Sequence, residues 1–326
     1  MRTADLICKW FPMSAVFLFL IGFQAAVKSE EFPREIAHAF GRTRILHAPV
    51  RIVTLGWSGE DAVLALGRTP VAMPRYSNFP NGIFPWNEER LQTALPQLLS
   101  SYLDFEAIAA LRPDLILGVY SGISELEWRR LSAIAPTVVY RSGPWAADWR
   151  EVTIQTGHAL GVPERAEQLL LETDEFLRKL SQDHPVLQGK TFTFGTFFPG
   201  STNLVVYLPR DPRVSALVGL GLKPSPGVQR LVQEDPTKTS TSVSLEQIGE
   251  MDADILIMWY QEGAREAAEA QPLFQALNVV KRGGYVALDD PVSVWSTSAL
   301  SILSIPYGFP RFLPKLAEAA AHAEAR

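Results

Sequence analysis

A stretch of seventeen residues occurs twice in this chain, and it constrains the fold more than any other feature. The first copy runs from Asp104 to Tyr120 and the second from Ser244 to Tyr260. Four pairs of identical residues lie 140 positions apart: Glu106 and Glu246, Ile108 and Ile248, Asp114 and Asp254, and Tyr120 and Tyr260. Each copy begins with a helix-capping residue type and continues with an apolar helical pattern, a turn and an all-apolar strand. Such a strand belongs inside a covered parallel sheet, so the repeat predicts two similar α/β lobes, chance similarity being the alternative.

The size and composition of the chain are those of a folded protein with more than one core. It has 326 residues, of which 47% are hydrophobic and 20% charged. These values are typical of a globular protein and allow two domains. The formal net charge of −5 argues against a nucleic-acid partner held on a basic surface.

The first 29 residues have the pattern of an export signal. Arg2 and Lys9 precede an apolar run, residues 11–23, which is too short for a stable membrane span, and small residues follow as far as Ser29. The only cysteine, Cys8, lies before the apolar run, where it cannot be the lipid-modified cysteine of a bacterial lipoprotein. The sequence therefore predicts a secreted protein of the bacterial periplasm without a lipid anchor.

The order of strand and helix patterns divides the remainder into three parts. Residues 30–146 alternate strands with helices and form the predicted N-terminal α/β lobe, after an extended lead-in over residues 30–50. Residues 147–184 have only helical spacing, interrupted at Gly161-Val162-Pro163, and form the predicted linking helices. Residues 185–326 resume the strand pattern, form the predicted C-terminal α/β lobe, and include a predicted loop through Trp295.

The motifs of common enzyme sites are absent from the sequence. Gly56-Trp57-Ser58-Gly59 lacks the second glycine that a nucleophile elbow requires, because Glu60 stands there. The five histidines are scattered, and there is no phosphate-binding loop. The sequence thus predicts no catalytic site and no protein metal ligand, although a periplasmic α/β enzyme stays an alternative that turnover would reveal.

Aromatic and arginine side chains are concentrated where the predicted strands end. Ligands of open parallel sheets bind at that edge, rings supply apolar contact, and arginine recognises oxygen-rich groups. We therefore predict a ligand site at this edge, while each residue alone also fits an ordinary half-buried position. The predicted ligand-binding residues are Trp57, Arg75, Tyr76, Tyr120, Arg141, Tyr207, Arg210, Trp259, Tyr260 and Trp295. Tyr140, Trp145 and Arg213 belong to the same wider set.

Several segments together resemble one protein family. They are the export signal, Arg51-Ile-Val-Thr-Leu with Ala65-Leu-Gly, the first repeat copy, Ile134-Ala-Pro-Thr and Pro272-Leu-Phe-Gln-Ala-Leu. Together they look like the ABC-transporter substrate-binding proteins for ferric siderophores, haem and vitamin B12, and most like the siderophore binders. The resemblance implies two Rossmann-like lobes joined by one long helix, the class III arrangement, with a shallow cleft between them.

The resemblance also implies a function and two sets of contacts. It implies periplasmic binding of a ferric siderophore by a monomer and delivery to an inner-membrane ABC permease, with haem or a corrinoid as the alternative ligand. Iron would be held by the siderophore alone, with no cofactor. Glu106 and Glu246 match the family's permease-docking glutamates, and dipole stabilisation of a helix start is their simpler role. Tyr120 lies near a ligand-contacting tyrosine of hydroxamate binders, but Ser100 and Ser101 stand about where those proteins have an arginine.

Overall fold

The computed structural model describes residues 32–91, 95–100 and 102–324, and these build two α/β lobes around separate sheets. The predicted export signal, its cleavage site and Cys8 lie outside the described residues, as does Ser101. None of the helices in the described part is both long and apolar enough to span a membrane. The mixed α/β architecture with two lobes confirms the predicted fold class.

The N-terminal lobe is a five-stranded parallel sheet with helices on its faces. Its elements are β1 (Arg34–His38), β2 (Gly41–Ile45), β3 (Ile52–Thr54), α1 (Gly59–Ala65), β4 (Ala72–Pro74), α2 (Pro85–Leu91), β5 (Gln97–Leu99), α3 (Phe105–Ala110), β6 (Leu115–Gly118), α4 (Glu125–Ser132) and β7 (Thr137–Val139). The strand order is β5-β4-β3-β6-β7, with every neighbouring pair parallel. All their carboxyl ends therefore meet at one edge, where ligands of such sheets bind.

Two helices connect the lobes, α5 (Trp149–Leu160) and α6 (Pro163–Asp183). Gly161 ends α5 in the left-handed conformation at φ 77°, and Pro163 begins α6 at the position where proline's missing N–H costs nothing. The two helices pack against each other; α5 also packs on α1 and β1. Their positions agree with the helical segment predicted from the sequence, while the three domain boundaries stay a prediction.

The C-terminal lobe is built on a mixed sheet. Its elements are β8 (Thr191–Phe197), β9 (Asn203–Tyr207), α7 (Pro212–Gly219), β10 (Lys223–Pro224), α8 (Pro226–Glu234), β11 (Ser240–Ser244), β12 (Ile255–Trp259), α9 (Ala264–Glu269), α10 (Pro272–Gln275), α11 (Asn278–Lys281), β13 (Tyr285–Leu288), α12 (Pro291–Ser298) and α13 (Ser304–Glu324). The order β11-β9-β8-β12-β13 has a parallel half, β8-β12-β13, and an antiparallel half through β9. Tyr207 therefore ends a strand that runs against its neighbour β8.

Three segments differ from the sequence prediction. The lead-in at residues 30–50 contains the antiparallel hairpin of β1 and β2. The stretch from Gly221 to Gly227, whose glycines and prolines predict neither a strand nor a helix, holds β10 and the start of α8, whose N-cap is Ser225. The predicted loop through Trp295 is the helix α12, capped by Asp290 with Pro291 in its first turn. In both helices a capping side chain followed by proline marks the start, but the Ser- and Pro-rich composition hid it.

The last helix fixes the two lobes together. Helix α13 packs on α6, β12 and β13, and the turn before it reaches the N-terminal lobe. There the Ser301 hydroxyl donates to the carboxylate of Asp61 on α1. Trp86 Nε1 and Asn87 Nδ2 donate to the same carboxylate at 2.7 and 2.6 Å. The three donors offset part of the cost of burying this carboxylate, and the contact joins residues 240 positions apart.

Candidate ligand-binding cleft

A cavity of about 380 Å³ opens at the carboxyl edge of the N-terminal sheet and faces the C-terminal lobe. Its floor is the end of β3, and its sides are the segments after β4 and β5. Five rings line it: Trp57, Tyr76, Tyr102, Trp145 and Trp295. The first four belong to the N-terminal lobe, whereas Trp295 lies on α12 in the C-terminal part of the chain. The site is therefore shared by both halves.

The rings of the cavity contact one another and keep the wall rigid. The Trp57 ring centre lies 5.1 Å from that of Trp145 and 5.0 Å from that of Trp295. Trp295 also meets Tyr76 edge-on at 5.3 Å and donates from Nε1 to Asn78 Oδ1 at 3.2 Å. Since these are tilted or edge-to-face contacts, part of each ring face stays available to a ligand.

A glycine places Trp57 beside Tyr120. Gly56 adopts φ 83°, and a Cβ there would lie 2.2 Å from the carbonyl oxygen of Tyr120. The close approach allows the Trp57 N–H to donate to that carbonyl at 2.9 Å. A side chain at position 56 would separate the two strand ends, so the glycine is required by both its φ angle and the available space.

Behind Trp57, a buried guanidinium from the C-terminal lobe faces Tyr120. Arg213, at the start of α7, is 7% exposed and lies 4.0 Å from the ring centre of Tyr207. Its Nε is 3.5 Å from the Asp211 carboxylate. Within the described residues, Nη1 of Arg213 and the hydroxyl of Tyr120 have no hydrogen-bond partner. These unsatisfied donors at the lobe junction suit an oxygen-rich ligand.

The titration of this cluster follows from its burial. Burial raises the pKa of Tyr120 to about 12, although the charge of Arg213 acts in the opposite direction. Burial alone would lower the pKa of Arg213, but the Asp211 carboxylate and the neighbouring tyrosines raise it above its ordinary value. At neutral pH the cluster therefore presents a cation and a neutral phenol.

A pair of buried acids lies under the floor of the cavity. Glu60 and Asp61, both on α1, are fully buried. Burial raises the pKa of Asp61 to about 6, against the hydrogen bonds from Ser301, Asn87 and Trp86. Burial, together with the charge of Asp61, raises the pKa of Glu60 well above its usual range. Two carboxyl groups buried side by side disfavour each other's ionisation, so the pair resists carrying two negative charges beneath Tyr76.

The structure separates the predicted residues into three groups. Trp57, Arg75, Tyr76 and Trp295 line the cavity. Tyr120 and Tyr207 flank Arg213, and Trp259 joins them because its Nε1 donates to Tyr207 Oη at 2.9 Å. The exposed Arg210 donates to Ser142 O at 3.3 Å across the lobes, whereas Arg141 lies at an exposed position outside the cavity.

Tyr260 is placed away from the cleft. Side chains alternate along β12, so Trp259 and Tyr260 point to opposite faces of the sheet. Tyr260 is 2% exposed, packs with Phe197 and Phe274, and accepts a hydrogen bond from the Tyr285 hydroxyl at 2.7 Å. The expectation that both repeated tyrosines face the ligand is therefore wrong for Tyr260, because it belongs to a separate core of the C-terminal lobe.

Two further residues emerge from the geometry. Trp145, with φ 55°, completes the cavity wall, and Arg213 supplies the buried guanidinium. Both belong to the wider set at the strand ends but not to the predicted site. Asp211 precedes Arg213 as an N-cap with Pro212 in the first turn, which marks a helix start but not a buried arginine.

The repeated glutamates lie on the surface of each lobe. Glu106 stands in the first turn of α3, whose N-cap Asp104 accepts from Ala107 N at 2.9 Å. Glu246 follows Ser244, whose hydroxyl accepts from the Glu246 N–H at 3.2 Å. Both glutamates are exposed. This exposure is compatible with contact to a partner, which stays a prediction.

The arrangement of the described acids, histidines and cysteines provides no cluster of three or more that could hold a metal ion. The cavity thus offers rings and hydrogen-bond donors to a ligand.

A family model described as periplasmic binding protein matches residues 52–292, which is most of the chain. The chain belongs to this family.

Known relatives of this periplasmic binding protein are associated with iron uptake. It is 28% identical to the probable siderophore-binding lipoprotein YfiY of Bacillus subtilis over 89% of this chain and 93% of that one. It is 25% identical to the Fe(3+)-citrate-binding protein YfmC of the same organism over 78% of each chain. Among solved structures, PiaA of Streptococcus pneumoniae TIGR4 in complex with ferrichrome is 29% identical, with a TM-score of 0.78 over 88% of this chain and 99% of that one.

One comparison conflicts with the sequence prediction. YfiY is named a lipoprotein, whereas the position of Cys8 predicted that this binding protein carries no lipid anchor. The residues that decide the matter lie outside the described ranges. The family places the protein outside the cytoplasm in either case.

Proposed function

We propose that this protein binds a ferric siderophore in the cleft between its lobes and delivers it to an inner-membrane ABC importer. The observation that carries the proposal is the ring-lined cavity at the carboxyl edge of the N-terminal sheet. The relatives named for siderophores and ferric citrate support the same ligand class. Large rings contact the organic part of a chelate, while the siderophore itself supplies the iron ligands.

The proposed contacts divide between the lobes. Trp57, Tyr76, Trp145 and Trp295 contact the body of the chelate, and Arg75 reaches it from the rim of the cavity. Arg213 and Tyr120 donate hydrogen bonds to its oxygen atoms, because their donors are unsatisfied and lie at the junction of the lobes. Glu106 and Glu246 dock on the permease from the outer surface.

Tryptophan fluorescence tests the ligand directly, because three tryptophans line the cavity. Titration with ferrichrome, ferric enterobactin and ferric citrate is expected to quench the emission of the purified protein with at least one chelate. The iron-free siderophore is the matched control and should bind more weakly. Absence of quenching by every ferric chelate, together with a Soret band on adding haemin, would replace the proposal by the haem alternative.

We also propose that the mature protein is exported, acts as a monomer and needs no resident cofactor. Removal of residues 1–29 as a signal peptide is part of this proposal. The intact mass of the protein recovered from its native host reports both the cleavage site and any lipid. Sedimentation measures the oligomeric state.

A further inference from the structure

The charges around the proposed ligand site cancel. Arg75 and Asp104 are the two charged residues among the described residues that line the cavity. The buried Arg213 is matched by Asp211, itself 4% exposed and paired with it at 3.5 Å. The cavity and the cluster behind it thus hold two positive and two negative side chains. Arg210 adds a positive charge only at an exposed position, where water and salt screen it.

The buried acid under the floor does not supply a compensating positive charge. Glu60 and Asp61 are both carboxylic acids, and both are fully buried. Asp61 is already hydrogen-bonded by Ser301, Trp86 and Asn87. An anion entering the cleft would therefore meet rings and balanced pairs, with acidic and not basic side chains beneath them. Burying a charge without a partner is strongly unfavourable, whereas a neutral polar group needs only hydrogen bonds.

We infer that the cleft selects ferric hydroxamates with no net charge over ferric catecholates and ferric citrate, an inference that rests on the proposed function. Each hydroxamate carries one negative charge, so three of them cancel the charge of Fe³⁺. Three catecholates carry six negative charges and leave the complex as a trianion, and ferric citrate complexes are anions too.

The donors at the lobe junction suit this class of ligand. A neutral ferric hydroxamate still presents iron-bound oxygen atoms that accept hydrogen bonds. Arg213 Nη1 and the Tyr120 hydroxyl supply such bonds, and both lack a hydrogen-bond partner in the described part of the chain. The Trp57, Trp145 and Trp295 rings pack on the hydrocarbon links between hydroxamates. The guanidinium acts here as a donor whose charge Asp211 already balances.

The test compares three chelates on the whole protein. Fluorescence titrations with ferrichrome, ferric enterobactin and ferric citrate are expected to give a Kd for ferrichrome at least about tenfold lower than for either anion. The ferrichrome Kd should change less than about twofold between about 0.05 and 0.5 M NaCl, since there is no net ligand charge to screen. Equal or tighter binding of an anionic chelate overturns the inference while the proposed function survives. If no chelate binds, the proposed function itself fails.

A charge variant provides a second readout. Asp104→Asn raises the charge of the cavity lining by one and retains an N-cap residue of equal quality. We expect the ratio of the enterobactin Kd to the ferrichrome Kd to fall at least about threefold. Asp183→Asn makes the same charge change at the exposed end of α6, remote from the cavity lining, and should leave the ratio unchanged. A ratio that moves equally in both variants, or in neither, contradicts the inference.

Discussion

The two copies of the repeated unit share identical residues that make equivalent contacts at one end of the unit and different contacts at the other. Asp114 accepts from Val50 N and Arg51 N at the start of β3, and Asp254 accepts from the N–H and hydroxyl of Thr191 at the start of β8. These two aspartates thus do the same work: each ties its own strand to the first residues of the neighbouring one. The two tyrosines at the other end of the unit have different surroundings, because Tyr120 faces the lobe junction and Tyr260 lies in a separate core.

The helices of the two copies also differ. The first copy forms α3, whereas the second forms only a 3₁₀ turn, Ile248–Met251. Strand starts are positioned by short-range hydrogen bonds that a repeated motif preserves. The environment beyond a strand end depends on what the rest of the lobe packs there. Duplicated sequence therefore preserves the internal frame of the unit better than its outer contacts.

The largest expected effect concerns the exposed glutamates. If both copies dock on the permease, the double variant E106R/E246R should reduce siderophore uptake to background, because it turns two attractive charges into repulsive ones. Each single variant should lose a comparable share. Uptake of a radiolabelled ferric siderophore by cells measures the effect, with Glu167→Arg on α6 as a control. Ligand affinity of the purified protein should change less than about twofold; a parallel loss of affinity would show that the glutamates have another role.

Replacing either aspartate of the repeat should lower the free energy of unfolding, and the loss should be larger for Asp254 than for Asp114. Asp254→Ala removes two hydrogen bonds to a charged acceptor in a partly buried site and should cost about 2–3 kcal/mol in the free energy of unfolding. Asp114→Ala removes two exposed bonds and should cost about 1–2 kcal/mol. Urea denaturation followed by circular dichroism compares the midpoints. A larger loss for Asp114→Ala would refute the equivalence of the two tethers.

The two tyrosine variants should affect different properties: Tyr120→Phe ligand affinity, and Tyr260→Phe stability. Tyr120→Phe removes a hydroxyl without a partner, so ligand affinity should fall about three- to tenfold while the melting temperature is unchanged or higher. Tyr260→Phe leaves the Tyr285 hydroxyl unsatisfied and should cost about 1–2 kcal/mol with no change in affinity. Calorimetry and fluorescence titration on the same two variants give both quantities. Loss of affinity in Tyr260→Phe would return this residue to the site.

The smallest expected effect is a pH dependence. Burial would raise the pKa of Asp254, but the hydrogen bonds from Thr191 lower it below its ordinary value of 3.8. The folded state therefore binds this proton less tightly than the unfolded state. The stabilising contribution is present above the ordinary pKa and is lost as pH falls through the lower, folded value. Asp254→Asn should flatten the melting temperature between about pH 5 and pH 3 relative to the wild type, whereas an unchanged slope would mean that other groups determine it.

The sequence predicts the frame of this protein better than its site. The apolar runs of β6 and β12 predict buried strands from composition alone, because a strand that is apolar on both faces must be covered on both faces. Helix α12 escapes prediction since Ser293 and its neighbours favour loops unless Asp290 is taken as a cap. Membership of the family follows from the family match over residues 52–292.

The candidate site depends on packing between distant segments. Trp57 and Tyr76 follow the strands β3 and β4 directly, so the edge of the sheet brings them together. Trp295 enters the cavity because α12 reaches Asn78 and the turn after it reaches Asp61 on α1, contacts across more than two hundred residues. The period of β12 shows that Trp259 and Tyr260 face opposite sides, but not which side meets the ligand. Burial of Arg213 likewise requires the N-terminal lobe to be in place.

The bond between Ser301 and Asp61 has a consequence for the order of folding. A chain is synthesised from its N-terminus, so α1 leaves the ribosome long before residue 301 is added. Until then the Asp61 carboxylate lacks its third donor. Contacts of such large sequence separation form slowly, because a long loop must close first. The first lobe to emerge is thus the one that waits for the last part of the chain, and a chain that ended before Ala299 would leave the binding lobe incomplete.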